Sequence, residues 1–281
     1  MTTRDSLLIL LLSAIWGASF ILIKLAGASF PPSWVALLRL ASGALVLWVA
    51  LLLGKKPLPP RKALLPLIAV AILNNAIPFT FIAWGEQTLP SNLAAILNAT
   101  TTLWGLLFAF LFQHDKLSRR MVAGVILGFA GVSLAVTSGR QHGDVQWLGI
   151  GLVAFGSVSY AIATALAKAK LKGYHPTGLA TAQLSLGVLI MLPVAALGPW
   201  PAAITLQSVL AVSLLGAFGT GIAYLIYYGL LARIASVQVQ AVTYVLPIWG
   251  LFWGAIAGES VGLLSILGVL IVLAGLALLR K

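Results

Sequence analysis

The chain has 281 residues, 61% hydrophobic and only 8% charged, with a mean hydropathy of +1.08, which excludes a soluble domain and marks an integral membrane protein. Its net charge of +12 does not imply nucleic acid as a partner, because the basic residues sit in short loops between apolar stretches, not on one solvated face. The absence of cysteine excludes disulfides, thiolate metal sites and thiol nucleophiles.

Read with a window of about 19 residues, the chain contains ten apolar spans near 5–26, 34–53, 63–84, 92–113, 120–138, 146–167, 177–197, 206–231, 237–257 and 262–279. At about 1.5 Å per residue each can cross a hydrocarbon core of about 30 Å. Span one carries Ser13, Trp16, Gly17 and Phe20. Its end, Ala26-Gly27-Ala28, resembles a signal-peptidase site. Three features argue against cleavage: Lys24 precedes the site, the apolar run is long, and the span has an internal counterpart in span six.

Two charges fall inside spans, Lys24 in span one and Arg39 in span two. Charge at mid-membrane is costly. Snorkelling or pairing with backbone carbonyls would account for both, and so would capture of a substrate carboxylate.

Polar side chains then gather on particular spans. Span three has Asn74, Asn75, Pro78 and Trp84, and span four has Asn98, Thr100, Thr101, Thr102 and Trp104. Span six has Ser157, Tyr160 and Thr164, span eight Thr220, Tyr224, Tyr227 and Tyr228, and span nine Gln240, Thr243, Tyr244 and Pro247. A lone Ser or Thr in such a place is explained by interhelical hydrogen bonding. Asn and Tyr need partners or water at depth, so the stripes together imply a central cavity. Trp16, Asn74, Pro78, Asn98, Thr102, Trp104, Tyr160, Tyr224, Thr243 and Tyr244 are its candidate substrate-binding residues.

Pro78 and Pro247 each remove a backbone hydrogen bond inside a span. Pro247 with Gly250 and Gly254 forms a candidate hinge. Gly124, Gly128, Gly131, Gly268 and Gly275 read instead as close helix packing between spans five and ten, and Trp34, Trp48, Trp147 and Trp200 as interface anchors. Every Asp, Glu and His falls at a span end or in a loop. A proton-driven carrier needs a titratable group in its pathway, so facilitated diffusion or exchange is expected.

Fourteen of the seventeen Lys and Arg residues lie at the termini or in the loops after spans two, four, six and eight. Both termini are therefore expected in the cytoplasm. The sequence also repeats itself at an offset of 145: Trp104-Gly105-Leu106 recurs as Trp249-Gly250-Leu251, and, one residue out of step, Gly124-Val125 recurs as Gly268-Val269. Five spans per repeat is an odd number, so the second copy must be inverted. Residues 1–139 and 140–281 are expected to form two inverted five-helix repeats of an all-α membrane fold, with the substrate site where the halves meet.

The ten spans, Trp16-Gly17 with Lys24, Arg39 opening span two, and the series Pro247, Gly258-Glu259, Gly268 and Ala274-Gly275 resemble the EamA family of the drug/metabolite transporter superfamily. Within it the chain resembles the YddG-type exporters of aromatic amino acids. The resemblance implies a central cavity lined by spans one, three, four, six, eight and nine, supported by spans five and ten. His114-Asp115 departs from the Gly-Glu that the first half usually shows, and Leu246 stands where many relatives have Glu. Together these features predict an inner-membrane exporter of small metabolites, amino acids including aromatic ones, working by alternating access. The other carrier reading is a multidrug or metabolite carrier coupled to a proton gradient. HExxH, GxSxG and paired carboxylates are absent, so no enzymatic activity, metal or cofactor is expected. A small solute and the bilayer are the expected partners of a monomer.

Overall fold

Helices account for all regular secondary structure among the residues that the computed structural model describes, namely 2–113, 119–141, 146–231, 233–234, 239 and 241–278. Seven helices are long and apolar enough to cross a membrane, and Val245–Ile256 and Leu263–Leu278 are shorter apolar helices.

The first two spans are continuous: α1 (Thr3–Gly27), closed at its start by a Thr2–Asp5 capping box, and α2 (Pro32–Leu53), opened by a proline whose missing N–H costs nothing there. The third is composite: α3 (Leu64–Ala71), a π-helical turn π1 (Ile72–Ala76) and α4 (Ile77–Gly85). Pro78 sits two residues beyond π1, and Ser159 takes up the carbonyl of Leu73 inside it at 2.7 Å, which satisfies a group that a wide turn leaves loose.

Span four, expected as one helix over 92–113, is two: α5 (Ser91–Asn98) and α6 (Thr101–Gln113). The hydroxyls of Thr100 and Thr101 bond the carbonyls of Leu97 and Asn98 at 2.6 and 2.8 Å, competing with the helical ladder at the break. Next come α7 (Arg119–Gln141), α8 (Trp147–Lys170) and α9 (Pro176–Leu197). The eighth span repeats the design of the third, with α10 (Leu206–Gly216), π2 (Ala217–Ile222) and α11 (Ala223–Leu231). The last helices are α12 (Ala241–Ile256), which contains Pro247, and α13 (Leu263–Leu278).

The packing also recurs. α1 lies against α12 and α10 as α8 lies against α6 and α4, α2 packs on α9, and α7 packs on α13. In the last pair a Cβ added to Gly131 would lie 2.6 Å from the carbonyl oxygen of Gly268, and one added to Gly275 would lie 2.6 Å from that of Gly124. Close approach of backbones in lipid requires small residues of this kind. Gly250 and Gly254, the candidate hinge glycines beside Pro247, face Ala95 and Asn92 of α5, and their small size lets α12 lie close to it.

Candidate functional site

The polar stripes converge on a cavity of ≈ 240 Å³. Of the ten candidate binding residues, Trp16, Asn74, Asn98, Thr102, Tyr160, Tyr224 and Thr243 line it. The Tyr244 side chain lies outside the described residues, as do Gln240, His114 and Asp115.

Two candidates point elsewhere. Trp104 packs edge-on against Phe129 of α7 with centroids 5.2 Å apart, because two residues beyond Thr102 a helix has turned about 200°. Pro78 packs on Gly156 of α8. The extra residue in π1 shifts the face of the helix, so that Asn74 is followed at the cavity wall by Phe79 and Ile82. An α-helical reading of the sequence would put Pro78 there instead.

The cavity is closed at one end by the buried side chains of Phe20, Ile23, Phe79, Ile82 and Leu246, whereas Thr164 at the other end is exposed. Arg39 is the one charged lining residue among those described, and it is 7% exposed. Its Nε donates to Thr220 Oγ1 of π2 at 2.9 Å, and its guanidinium carbon stands 3.7 Å from the centroid of the Phe79 ring. No carboxylate pairs with Arg39 among the described residues.

Around this cation the walls are amides, hydroxyls and rings. Asn74 and Asn75 both donate to the Tyr224 hydroxyl at 3.4 Å, and Gln183 Nε2 on α9 donates to Asn75 Oδ1. Tyr224, Tyr227 and Tyr228 form a chain of edge contacts, with Trp16 against Tyr227. Asn98 Oδ1 is buried without a partner among the described residues and is available as an acceptor. A site so built offers a cation for one end of a solute, an amide oxygen for a donor, and aromatic faces for an apolar body.

Lys24 is not at the cavity wall. Its ammonium pairs with Glu259 at 2.9 Å, so snorkelling is not what satisfies it. Gly258, at φ +81°, turns the chain so that Glu259 also caps the N-terminus of α5, accepting from the backbone N–H groups of Ser91 and Asn92 at 2.7 and 3.0 Å and from Ser91 Oγ at 3.0 Å. Burial raises its carboxyl pKa, but the Asn92 and Ser91 amides and Lys24 outweigh that and hold it below the ordinary value. This junction ties α1, α5 and α12 together beyond the closed end of the cavity.

Sequence reasoning missed Glu86. Its place after span three reads as a loop, yet the residue is 4% exposed and neither carboxylate oxygen has a partner among the described residues.

One model of known proteins, the EamA-like transporter family, matches the chain twice, over residues 4–137 and 147–281. The uncharacterised inner membrane transporter YedA of Escherichia coli K12 is 30% identical over 276 residues, covering 95% of this chain and 88% of its own. An uncharacterised transporter of Archaeoglobus fulgidus is 26% identical, covering 93% of each chain, and YvbV of Bacillus subtilis is 25% identical over 99% of this chain and 92% of its own. A crystal structure with 16% identity has the same fold, with a TM-score of 0.73 over the whole of this chain and 97% of the other. The double match spans both ends of the polar cavity, and the chain belongs to the EamA-like transporter family.

Proposed function

We propose that the protein is a secondary transporter of the inner membrane, built as two inverted five-helix repeats (1–139 and 140–281), that exports amino acids, aromatic ones among them, by alternating access. The observation that carries this reading is Arg39, without a carboxylate partner among the described residues, in a cavity whose other described lining residues are uncharged and include Tyr224, Tyr227, Tyr228 and Trp16. A guanidinium at that depth binds a carboxylate, the aromatic walls take a ring, and Asn98 Oδ1 accepts from an ammonium. The recurrence of π1 and π2 and the matching glycine contacts of α7 and α13 support the repeat reading. Arg61 and Lys62 before α3, and Lys168 and Lys170 in the last turn of α8, lie at the ends assigned to the cytoplasm, and Thr164, on that side, marks the cavity's exposed end; the solute enters there and leaves past Lys24 and Glu259.

The volume also argues for a single small metabolite, since pockets for drug-sized ligands run from about 300 to 1,000 Å³. The described lining residues include no carboxylate, which argues against cationic drugs. Transport is facilitated diffusion or exchange by one copy of the chain, without cofactor, metal or nucleic acid. Counterflow of labelled phenylalanine, tryptophan and threonine into proteoliposomes, beside a cationic dye, tests the reading. Saturable amino-acid exchange is expected, and movement of the dye alone, driven by a pH gradient, overturns it in favour of the multidrug carrier.

A further inference from the structure

Glu86 caps the C-terminus of α4, its N–H bonded to the carbonyl of Ile82 at 2.9 Å. It is 4% exposed, and the preceding Gly85 lies against Val153 and Gly149 of α8, where even an added Cβ would come 2.6 Å from Val153. Among the described residues, the charged groups bearing on it are Glu259, Lys24 of α1 and Arg39 of α2. Neither cation is committed to it, since Lys24 pairs with Glu259 and Arg39 donates to Thr220. α5 has no charged residue, and the lysines of α8 lie at its other end. Tyr160 of α8, at the cavity wall, is a neutral phenol.

A buried carboxylate without a partner is among the costliest states a side chain can adopt, and a proton removes the cost. Burial, together with the like charge of Glu259, pushes the Glu86 carboxyl well above the ordinary range, and Lys24 and Arg39 do not offset this. Water admitted by a parting of the Lys24–Glu259 junction would remove that desolvation and favour the ionised form.

We propose that Glu86 is a proton-binding site that latches the outer end of the cavity: protonated while that end is closed, ionised when it opens, and filled and emptied from the outer side only. The idea rests on the alternating-access reading above. The closed state binds the proton more tightly, so lowering external pH favours closure and raising it favours opening. Between the open-state and closed-state pKa values the closed-to-open ratio falls up to about tenfold per pH unit. Because the proton returns to the side it came from, the device responds to external pH without coupling transport to a gradient.

Two measurements test this without any substrate, so that a wrong transport assignment and a wrong latch are told apart. The first is the infrared band of a protonated carboxyl in the unaltered protein at neutral pH. It is expected to be present and to disappear in E86Q; its absence from the unaltered protein overturns the proposal. The second uses the natural lack of cysteine. With Ile23→Cys at the closed end of the cavity, labelling by an impermeant maleimide added outside is followed from acid to alkaline external pH, with and without Glu86→Gln. The labelling rate of the Glu86 protein relative to the E86Q protein is expected to climb several-fold as pH rises. A constant ratio means that Glu86 does not control the outer end.

Discussion

Thr220 in π2 accepts a 2.9 Å hydrogen bond from Arg39 of α2, and the corresponding place in π1 is held by Asn75, which accepts from Gln183 of α9. Each π-helical turn is thus pinned by a long donor side chain from the helix after the first span of the other half. Asn75 is fully buried and Gln183 is 4% exposed, so removing one partner strands the other. Asn75→Ala and Gln183→Ala should each lower stability, and in a double-mutant cycle the two should couple by about 0.5–1.5 kcal/mol. Thermal unfolding in detergent reads this directly, and an additive double variant would show that the contact contributes nothing.

Arg39 is expected to govern recognition of the solute's carboxylate. Replacing it by Gln removes a charge-assisted contact of about 1.5–3 kcal/mol, or about 10- to 150-fold in apparent affinity. Arg39→Lys keeps the charge but loses the fork that holds Thr220 while facing the solute, so it should fall between. Competition by an amino acid against its decarboxylated amine separates the effects, because the amine's affinity should not fall in R39Q.

Stability should depend on pH through Glu259. Its carboxyl lies below the ordinary value of 4.5, so its contribution is complete above that value and is lost as pH falls through the lowered folded-state value. The Tm of the wild type should therefore drop in that acid window, and E259Q should lack this component. Glu259→Ala should cost about 0.5–2 kcal/mol as a lost helix cap. Adding Lys24→Met to E259A should cost little more, since the two share one contact.

Gly131→Val and Gly275→Val should destabilise the protein by about 1–3 kcal/mol each through forced separation of α7 and α13. Solute affinity should be preserved, because neither helix lines the cavity. A comparable loss of Tm and affinity would mean that this pair is part of the moving machinery.

Hydropathy made the spans legible to within a few residues, and Asn98 with Thr102, four apart on one face, pointed to a real wall of the cavity. Interruptions of the ladder were not legible. Nothing in Ile72–Ala76 distinguishes a π turn from an α turn before the chain is packed, and that turn moves Pro78 off the wall. Nor could spacing reveal Lys24 with Glu259, which are brought together only by α12 folding back on α1. Glu86 was misread for a related reason: a charged residue just past a span reads as solvated, and its burial depends on how tightly Gly85 lets α4 sit on α8.

Arg39 also makes the molecule an electrical device. It is fixed to α2 in the wall of the cavity, and under the proposed alternating access water would connect it to one side of the membrane at a time. Under alternating access the guanidinium shares the potential of whichever side is open, so each reorientation carries one positive charge through most of the field. That is worth about 2.3 kcal/mol per 100 mV. With the basic loops in the cytoplasm, as proposed above, a negative interior would hold the resting carrier with its mouth to the cytoplasm, ready to load, before any solute arrives.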